Sequence, residues 1–191
     1  MELMRPNASE RILDIGTSDD TGLETNMLEQ LYQHPSKITC ASLTDGCAIL
    51  QEYKGGSHVK IQAGKPLPFD ELEFDIVYSN AFLEHVGSHA AQTRFITEMC
   101  KVVRRRFLVV PNSLFPIEHH TCLPLVHYLP KPWFRKLLSG TRFDIWSHEE
   151  NLNYVSAANL KTMWPGVISP KLVYSGIGFG FWKSNLVAYQ N

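Results

Sequence analysis

Apolar and polar positions along this chain follow two rhythms in turn. The run Ile12-Leu-Asp-Ile15 stops at Gly16 and enters a polar turn, Thr17-Ser-Asp-Asp20. Leu23, Met27, Leu28 and Leu31 then recur at helical spacing as far as His34-Pro35. A strand near 11–16, a tight turn and a helix form the arrangement that presents backbone N–H groups to a bound nucleotide. Ile38 to Leu43 is a second β-rich run, and Thr44 and Asp45 are candidate N-caps for a helix carrying Ile49 and Leu50 that ends at Gly55-Gly56. Val59 to Gln62 alternates as a short edge strand, and Phe74 to Ser79 is apolar enough to be central. Phe82, Leu83, Phe95, Met99 and Val102 mark a long helix from Ala81 to about Val103, with a break near Gly87-Ser88. Arg106 to Val110 is the next strand, closed by Pro111.

The alternation then lapses. Residues 113–150 are rich in proline, histidine and aromatic side chains and read as an insertion, helical from Phe134 to Leu138. A helix from Leu152 to Trp164 follows, then two strands, Lys171 to Tyr174 and Asn185 to Tyr189. Strands alternating with helices predict a parallel sheet covered on both faces. Two final strands with no helix between them predict a hairpin, so the last strand is antiparallel. The expected fold is α/β: a Rossmann-like, seven-stranded, mostly parallel sheet with an antiparallel terminal strand. The expected organisation is a single domain over 1–191 with a lid-like insertion at about 113–150.

Composition narrows the function classes. The 191 residues are 44% hydrophobic with a formal net charge of -1, so no basic footprint points to nucleic acid. Arg104-Arg105-Arg106 is expected at a helix C-terminus, where cations complement the dipole. The four cysteines form no CxxC pair, and Cys40 and Cys100 sit in apolar segments as buried thiols, which suits a reducing compartment. Met1 is followed by Glu2 with no apolar leader, and no apolar run reaches the length of a membrane span. A cytoplasmic protein acting on a small molecule is expected.

The order of elements with its terminal hairpin resembles the class I S-adenosylmethionine-dependent methyltransferases. The residues that carry the resemblance are Ile12-Leu-Asp-Ile-Gly16, Leu67-Pro-Phe69 with Phe74-Asp-Ile-Val77, and Ser79-Asn-Ala-Phe-Leu-Glu-His85. The last run is similar to the methyltransferase type 11 group. A bacterial subgroup with a "DVG.TSD" turn and a "PNR.FPIE.HT.LP..H.LP" segment is closer still. Here those read Asp14-Ile-Gly-Thr-Ser-Asp19 and Pro111-Asn-Ser-Leu-Phe-Pro-Ile-Glu-His-His-Thr-Cys-Leu-Pro124 followed by His127. The resemblance implies S-adenosyl-L-methionine as cofactor and methylation of a small acceptor, by analogy a hydroxyl of a sugar-containing or lipid-like molecule.

Carried residue by residue, it places the cofactor at Gly16, where a side chain would block backbone approach, with Thr17 and Ser18 beside it. Asp14 would accept a hydrogen bond from the methionine ammonium, or cap nearby amides instead. Relatives often have Gly-x-Gly-x-Gly where this chain has Gly16-Thr-Ser-Asp-Asp20. The acid that receives the ribose hydroxyls aligns with Ser42; Asp45 could substitute or be only a helix cap. The adenine-contacting acid falls on Ala63 or Gly64. Asn80 and Ala81 would line the cofactor, and His85 would reach the site or serve a structural hydrogen bond. Glu84, near a helix N-terminus, is favourable there without any further role.

Methyl transfer to an alcohol needs alignment and removal of a proton, which suits a histidine. The candidate base is His120, with Glu118 or His127 as orienting partners. No metal site is expected, because His119 and His120 are adjacent and no HxxxH helix is present. The rival expectation is a non-catalytic methyltransferase-like protein with weak or lost cofactor binding, motivated by Ser18, Ser42 and Ala63/Gly64. A nicotinamide dehydrogenase is disfavoured by the terminal hairpin and the missing GxGxxG.

Overall fold

The backbone follows the two rhythms, with the inner strands β1, β2 and β4 formed by short, mostly buried runs. A computed structural model describes residues 3–20, 22 and 25–191. The strands are β1 (Ile12–Ile15), β2 (Ile38–Ser42), β3 (Ser57–Lys60), β4 (Phe74–Asn80), β5 (Val103–Pro111), β6 (Lys171–Ser175) and β7 (Asn185–Gln190). They form one seven-stranded sheet in the order β3-β2-β1-β4-β5-β7-β6, mostly parallel with antiparallel terminal strands. β1 pairs in parallel with β2 and β4, and all four of its residues are buried, as a strand covered on both faces must be. Asp14 stands opposite Cys40 on one side and Tyr78 on the other, so these three side chains share one face.

By contacts the chain divides into two compact units. The first runs to Asn80 and takes in Glu98–Leu108 and Tyr189–Asn191; the second is Ala81–Thr97 with Val109–Ala188. The first unit packs Ile12, Leu28, Ile38, Ile49 and Ile76 into a core edged by Tyr32, Tyr53, Tyr78 and Phe107. Its helices are shorter than the periodicity predicts. α1 is Met27–Leu31, entered through Asn26 in the left-handed region at φ 49°; Leu23 lies outside the described residues.

α2 (Cys47–Glu52) is entered through Gly46, not through a Thr44 or Asp45 cap. Gly46 sits at φ 65°, and a Cβ there would stand 2.2 Å from the His58 ring, so glycine is required on both counts. β3 begins at Ser57, two residues before its predicted start.

α3 (His89–Lys101) passes into β5 with almost no loop, since Val102 and Val103 are both buried. The three arginines therefore lie in β5, not at a helix terminus. Arg105 donates to the Met4 carbonyl at 2.7 Å and pairs with Glu10, and Arg106 reaches Gln190 Oε1 at 2.6 Å.

In the second unit the predicted break in the long helix is real: a single 3-10 turn, Leu83–His85, is followed by Gly87 at φ 89° before α3 begins. α4 (Lys131–Leu138) carries Pro132 in its first turn, where a missing N–H costs nothing. α5 (Ala157–Met163) starts five residues later than predicted, at a capping box in which Ser156 Oγ accepts the Asn159 N–H and Asn159 Oδ1 accepts the Ser156 N–H. Leu152 is buried with Phe134 and Leu138 in the loop region, so its apolar character serves that core rather than a helix. Among the described residues no helix is long and apolar enough to cross a membrane.

Leu13 is fully buried at the middle of the β1 register. Leu13→Ala is expected to lower stability by about 3 kcal/mol, the usual cost of a core cavity, read from urea unfolding.

Candidate functional site

Within the first unit the turn after β1 is held by side chains in place of glycines. Gly16 takes φ 100°, and its N–H still donates to the Ala41 carbonyl at 2.8 Å. Beyond it, Asn26 Oδ1 accepts the Ser18 N–H at 3.0 Å, while Asn26 Nδ2 donates to the Ser18 and Asp20 carbonyls. Ser18 Oγ accepts the Asp20 N–H at 3.0 Å, and Thr25 Oγ1 donates to the Asp20 carbonyl at 2.6 Å. Two atoms of the turn are left over. Thr17 Oγ1 and Asp19 Oδ1 are buried and have no hydrogen-bond partner among the described residues.

The other sequence candidates of this unit are scattered in character. Asp14 is buried against Glu29 and Cys40, and burial, then the Glu29 charge and a Glu29 hydrogen bond, raise its carboxyl well above the usual range. Burial likewise raises Glu29, whose Oε1 accepts from Cys40 Sγ at 3.2 Å. Both shifts favour the neutral carboxyl over the buried carboxylate. Ser42 is buried, its hydroxyl 2.8 Å from His58 Nε2 and 3.0 Å from Thr44 Oγ1. Asp45 is exposed and pairs with Lys60 at 2.7 Å, which lowers its carboxyl by a hydrogen bond and charge. Gly64 lies in an open turn at φ 72°, and Asn80 is exposed at the end of β4.

In the second unit, Ala81 opens the segment after β4 in the left-handed region at φ 50°, with its N–H donating to the Val109 carbonyl at 2.9 Å. A non-glycine residue there is strained, and strain of this kind gathers at functional sites. The 3-10 turn that follows is fastened by Gln92 Nε2, which donates to the Leu83 and Asn153 carbonyls, and by the Asn153 N–H on the Glu84 carbonyl. This holds Glu84 and His85 in place.

Glu118 is fully buried in the loop after β5. Its Oε1 accepts from the His120 N–H and His120 Nδ1, each at 3.0 Å, and from the Tyr154 hydroxyl. Its Oε2 accepts from the Thr121 N–H at 2.6 Å and from the Thr121 hydroxyl. Burial alone would raise this carboxyl, but the hydrogen bonds from His120, Thr121 and Tyr154 outweigh it and hold Glu118 well below the carboxylate range. Since Glu118 stays ionised it can only accept, so His120 Nδ1 donates to it and Nε2 is the ring nitrogen turned away from it.

The same reasoning applies to His85, whose Nδ1 is 2.6 Å from the Asn151 carbonyl. A carbonyl accepts, so Nδ1 carries the proton, and in the neutral ring Nε2 is bare. The two Nε2 atoms lie 3.4 Å apart, with the Trp146 ring centre 4.7 Å from that of His120 and 5.7 Å from that of His85. Burial lowers His85 against the opposing hydrogen bond to the Asn151 carbonyl, so the imidazole favours its neutral form.

His127 is also lowered by burial; its ring touches Tyr128 and Tyr154. Of the sequence candidates, the structure brings His120, Glu118 and His85 together, with His127 linked through the Tyr154 ring. Tyr154 is missing from the sequence candidates, since a lone tyrosine carries no motif, and Asp19 lies in the quoted turn with no role assigned to it. Glu84 was read only as a dipole partner, yet it is 1% exposed and neither carboxylate oxygen has a hydrogen-bond partner among the described residues.

From residue 13 to 109 the sequence matches the family described as the methyltransferase domain. Among curated proteins none matches it. In fold the chain is similar to an S-adenosylmethionine-dependent methyltransferase from Aquifex aeolicus, with a TM-score of 0.57 and 12% identity over 94% of this chain and 80% of that one. It is similar to a methyltransferase of the same cofactor from Methanosarcina mazei, with a TM-score of 0.54 and 17% identity over 96% and 92% of the two chains. It is also similar to the N-methyltransferase NodS from Bradyrhizobium japonicum, solved with S-adenosyl-L-homocysteine, at a TM-score of 0.52 and 12% identity over 94% and 76%. At these identities the likeness is one of fold.

Burial pushes the Glu84 carboxyl up to about 8 from an ordinary 4.5. A group that binds its proton more tightly when folded contributes stability that is fully present below about 4.5 and is lost as pH rises through about 8. Glu84→Gln is therefore expected to flatten the fall in stability across that window and to be the more stable form at its alkaline end. Thermal unfolding in chelator over a pH series checks this.

Proposed function

Because the chain belongs to the methyltransferase domain family, enzymes whose methyl donor is S-adenosyl-L-methionine, we propose that its acceptor is a hydroxyl of a sugar-containing or lipid-like small molecule and that His120 receives the acceptor's proton. The observation that carries this reading is the Glu118–His120 pair. A buried, ionised carboxylate holds Nδ1–H and thereby sets the tautomer and orientation of the ring, leaving Nε2 as the basic atom. That is the division of labour between acid and histidine in hydrolytic triads. Tyr154 and Thr121 position Glu118, and His127 packs on Tyr154.

The polar atoms of the first turn fit the donor. A hydroxyl and a carboxylate oxygen without partners suit the ammonium and carboxylate of a methionine tail, so Thr17 and Asp19 would hold that tail beside Gly16 and Ser18. Asp14 is buried on β1, two residues before Gly16, with its carboxyl raised by burial. Ser42 is the candidate for the ribose hydroxyls. When bound, the cofactor supplies an electrophilic methyl group. The chain's own work is to orient the acceptor oxygen in line with that methyl and to take its proton at His120 Nε2 as the new bond forms.

Two outcomes test the reading. His120→Ala is expected to lower single-turnover rate by roughly 10²- to 10⁴-fold, the usual range for a general base, while S-adenosylhomocysteine affinity stays within about twofold. An equal loss in both would make the role of His120 structural. Ser42→Asp replaces a neutral hydroxyl by a carboxylate, and charge-assisted bonds are about twice as strong. It is expected to tighten S-adenosylhomocysteine binding by about fivefold, roughly 1 kcal/mol, in calorimetric titration. No change would place the ribose elsewhere.

A further inference from the structure

Glu84, His85 and His120 meet in the second unit, and nothing in the methyl-transfer reading needs all three. Each can offer one ligand atom, and the three atoms lie within 4.8 Å of one another. The two Nε2 atoms face each other at 3.4 Å. Two ligands of a tetrahedral cation with bonds of 2.0–2.1 Å stand about 3.3 Å apart, so the two imidazoles already have a metal-binding separation. Glu84 Oε1 is 3.9 Å from His85 Nε2, so the carboxylate stands beside the same point.

We propose that Glu84, His85 and His120 form a binding site for a first-row divalent cation of the zinc class, with one further position open to water. Three features support it. Both Glu84 oxygens are buried without a hydrogen-bond partner among the described residues, and a buried carboxylate requires a counter-charge that a cation supplies directly. Both imidazoles are oriented by an acceptor on Nδ1, Asn151 carbonyl for His85 and Glu118 for His120, which is the outer-shell arrangement that metal-ligating histidines show. His85 is the open side, its side chain 31% exposed against 1% for Glu84, and it provides the route of entry. The expectation of no metal concerned the adjacent His119 and His120; the structure instead sets His120 against a histidine 35 residues away.

Two nitrogens and a carboxylate favour zinc or iron over calcium and magnesium, which prefer oxygen. A cation on His120 Nε2 occupies the lone pair assigned above to the base, so the loaded and the general-base forms exclude one another. Cation binding does not rest on methyl transfer and is read without donor or acceptor, so the two readings fail separately.

The experiment is titration of the chelator-treated full chain with zinc against a chromophoric chelator, and with cobalt(II) for its visible absorption. One zinc per chain and the intense bands of four-coordinate cobalt are expected. His85→Asn and His120→Asn keep an N–H donor near Nδ1 and delete Nε2, and Glu84→Gln keeps volume and removes charge. Each is expected to weaken zinc by at least tenfold while circular dichroism confirms the fold. Zinc raises the unfolding temperature of the wild type, and this readout stands even where a variant fails to fold. No stoichiometric zinc binding by the wild type, or binding that survives all three substitutions, would overturn the site.

Discussion

A carboxylate with no exposed surface must collect donors or give up its charge, and the loop after β5 is built on how Glu118 collects them. Its backbone N–H donates to the Leu123 carbonyl at 2.9 Å, and its own carbonyl accepts the Cys122 N–H at 2.8 Å, so the chain folds back on itself around this one residue. Ile117 and Pro124 pair as an antiparallel bridge, and Cys122 and Leu125 take left-handed φ of 57° and 60° to let the turn close. The side chain then draws in Thr121, His120 and Tyr154. Loop shape, ring orientation and the position of the basic nitrogen all follow from satisfying one buried charge.

The chain meets the same cost of burying a carboxyl in three different ways. Glu118 stays ionised because five donors surround it. Asp14 and Glu29, both buried in the first unit, are both raised, which favours their neutral forms. Glu84 has neither donors nor a carboxyl partner, which leaves protonation or a cation. The first solution serves orientation and the second packing. The third singles out Glu84, because a structural carboxyl would be expected to have found donors.

The turn after β1 shows how a glycine-poor sequence can be tied by its side chains. Only Gly16 takes a conformation that needs glycine in its first half. The remainder is tied by Asn26, which acts as donor and acceptor to the Ser18 backbone, and by Ser18 and Thr25 around Asp20. Side-chain hydrogen bonds of this kind mimic a backbone turn. They also consume the Ser18 and Asp20 N–H groups, and they leave Thr17 Oγ1 and Asp19 Oδ1 without partners among the described residues.

Much of the fold was legible in the sequence because it rests on local periodicity. Ile12 to Ile15, Phe74 to Ser79, the break at Gly87 and the terminal hairpin each announce themselves within a few residues, and the resemblance to the methyltransferases rests on such runs. Element ends were less legible. Asn26 and Gly46 start their helices in left-handed conformations, and the arginines of β5 join the strand because Val102 and Val103 need burial. Glu118 and His120 were readable as a pair because they are two residues apart. The partnership of His120 with His85, the isolation of Glu84 and the bond from Tyr154 to Glu118 join positions tens of residues apart. The sequence by itself determined which chemistries were present and in what order the elements came. Only the tertiary structure decided which groups share a buried space, because that depends on where separate loops are packed and not on any local pattern.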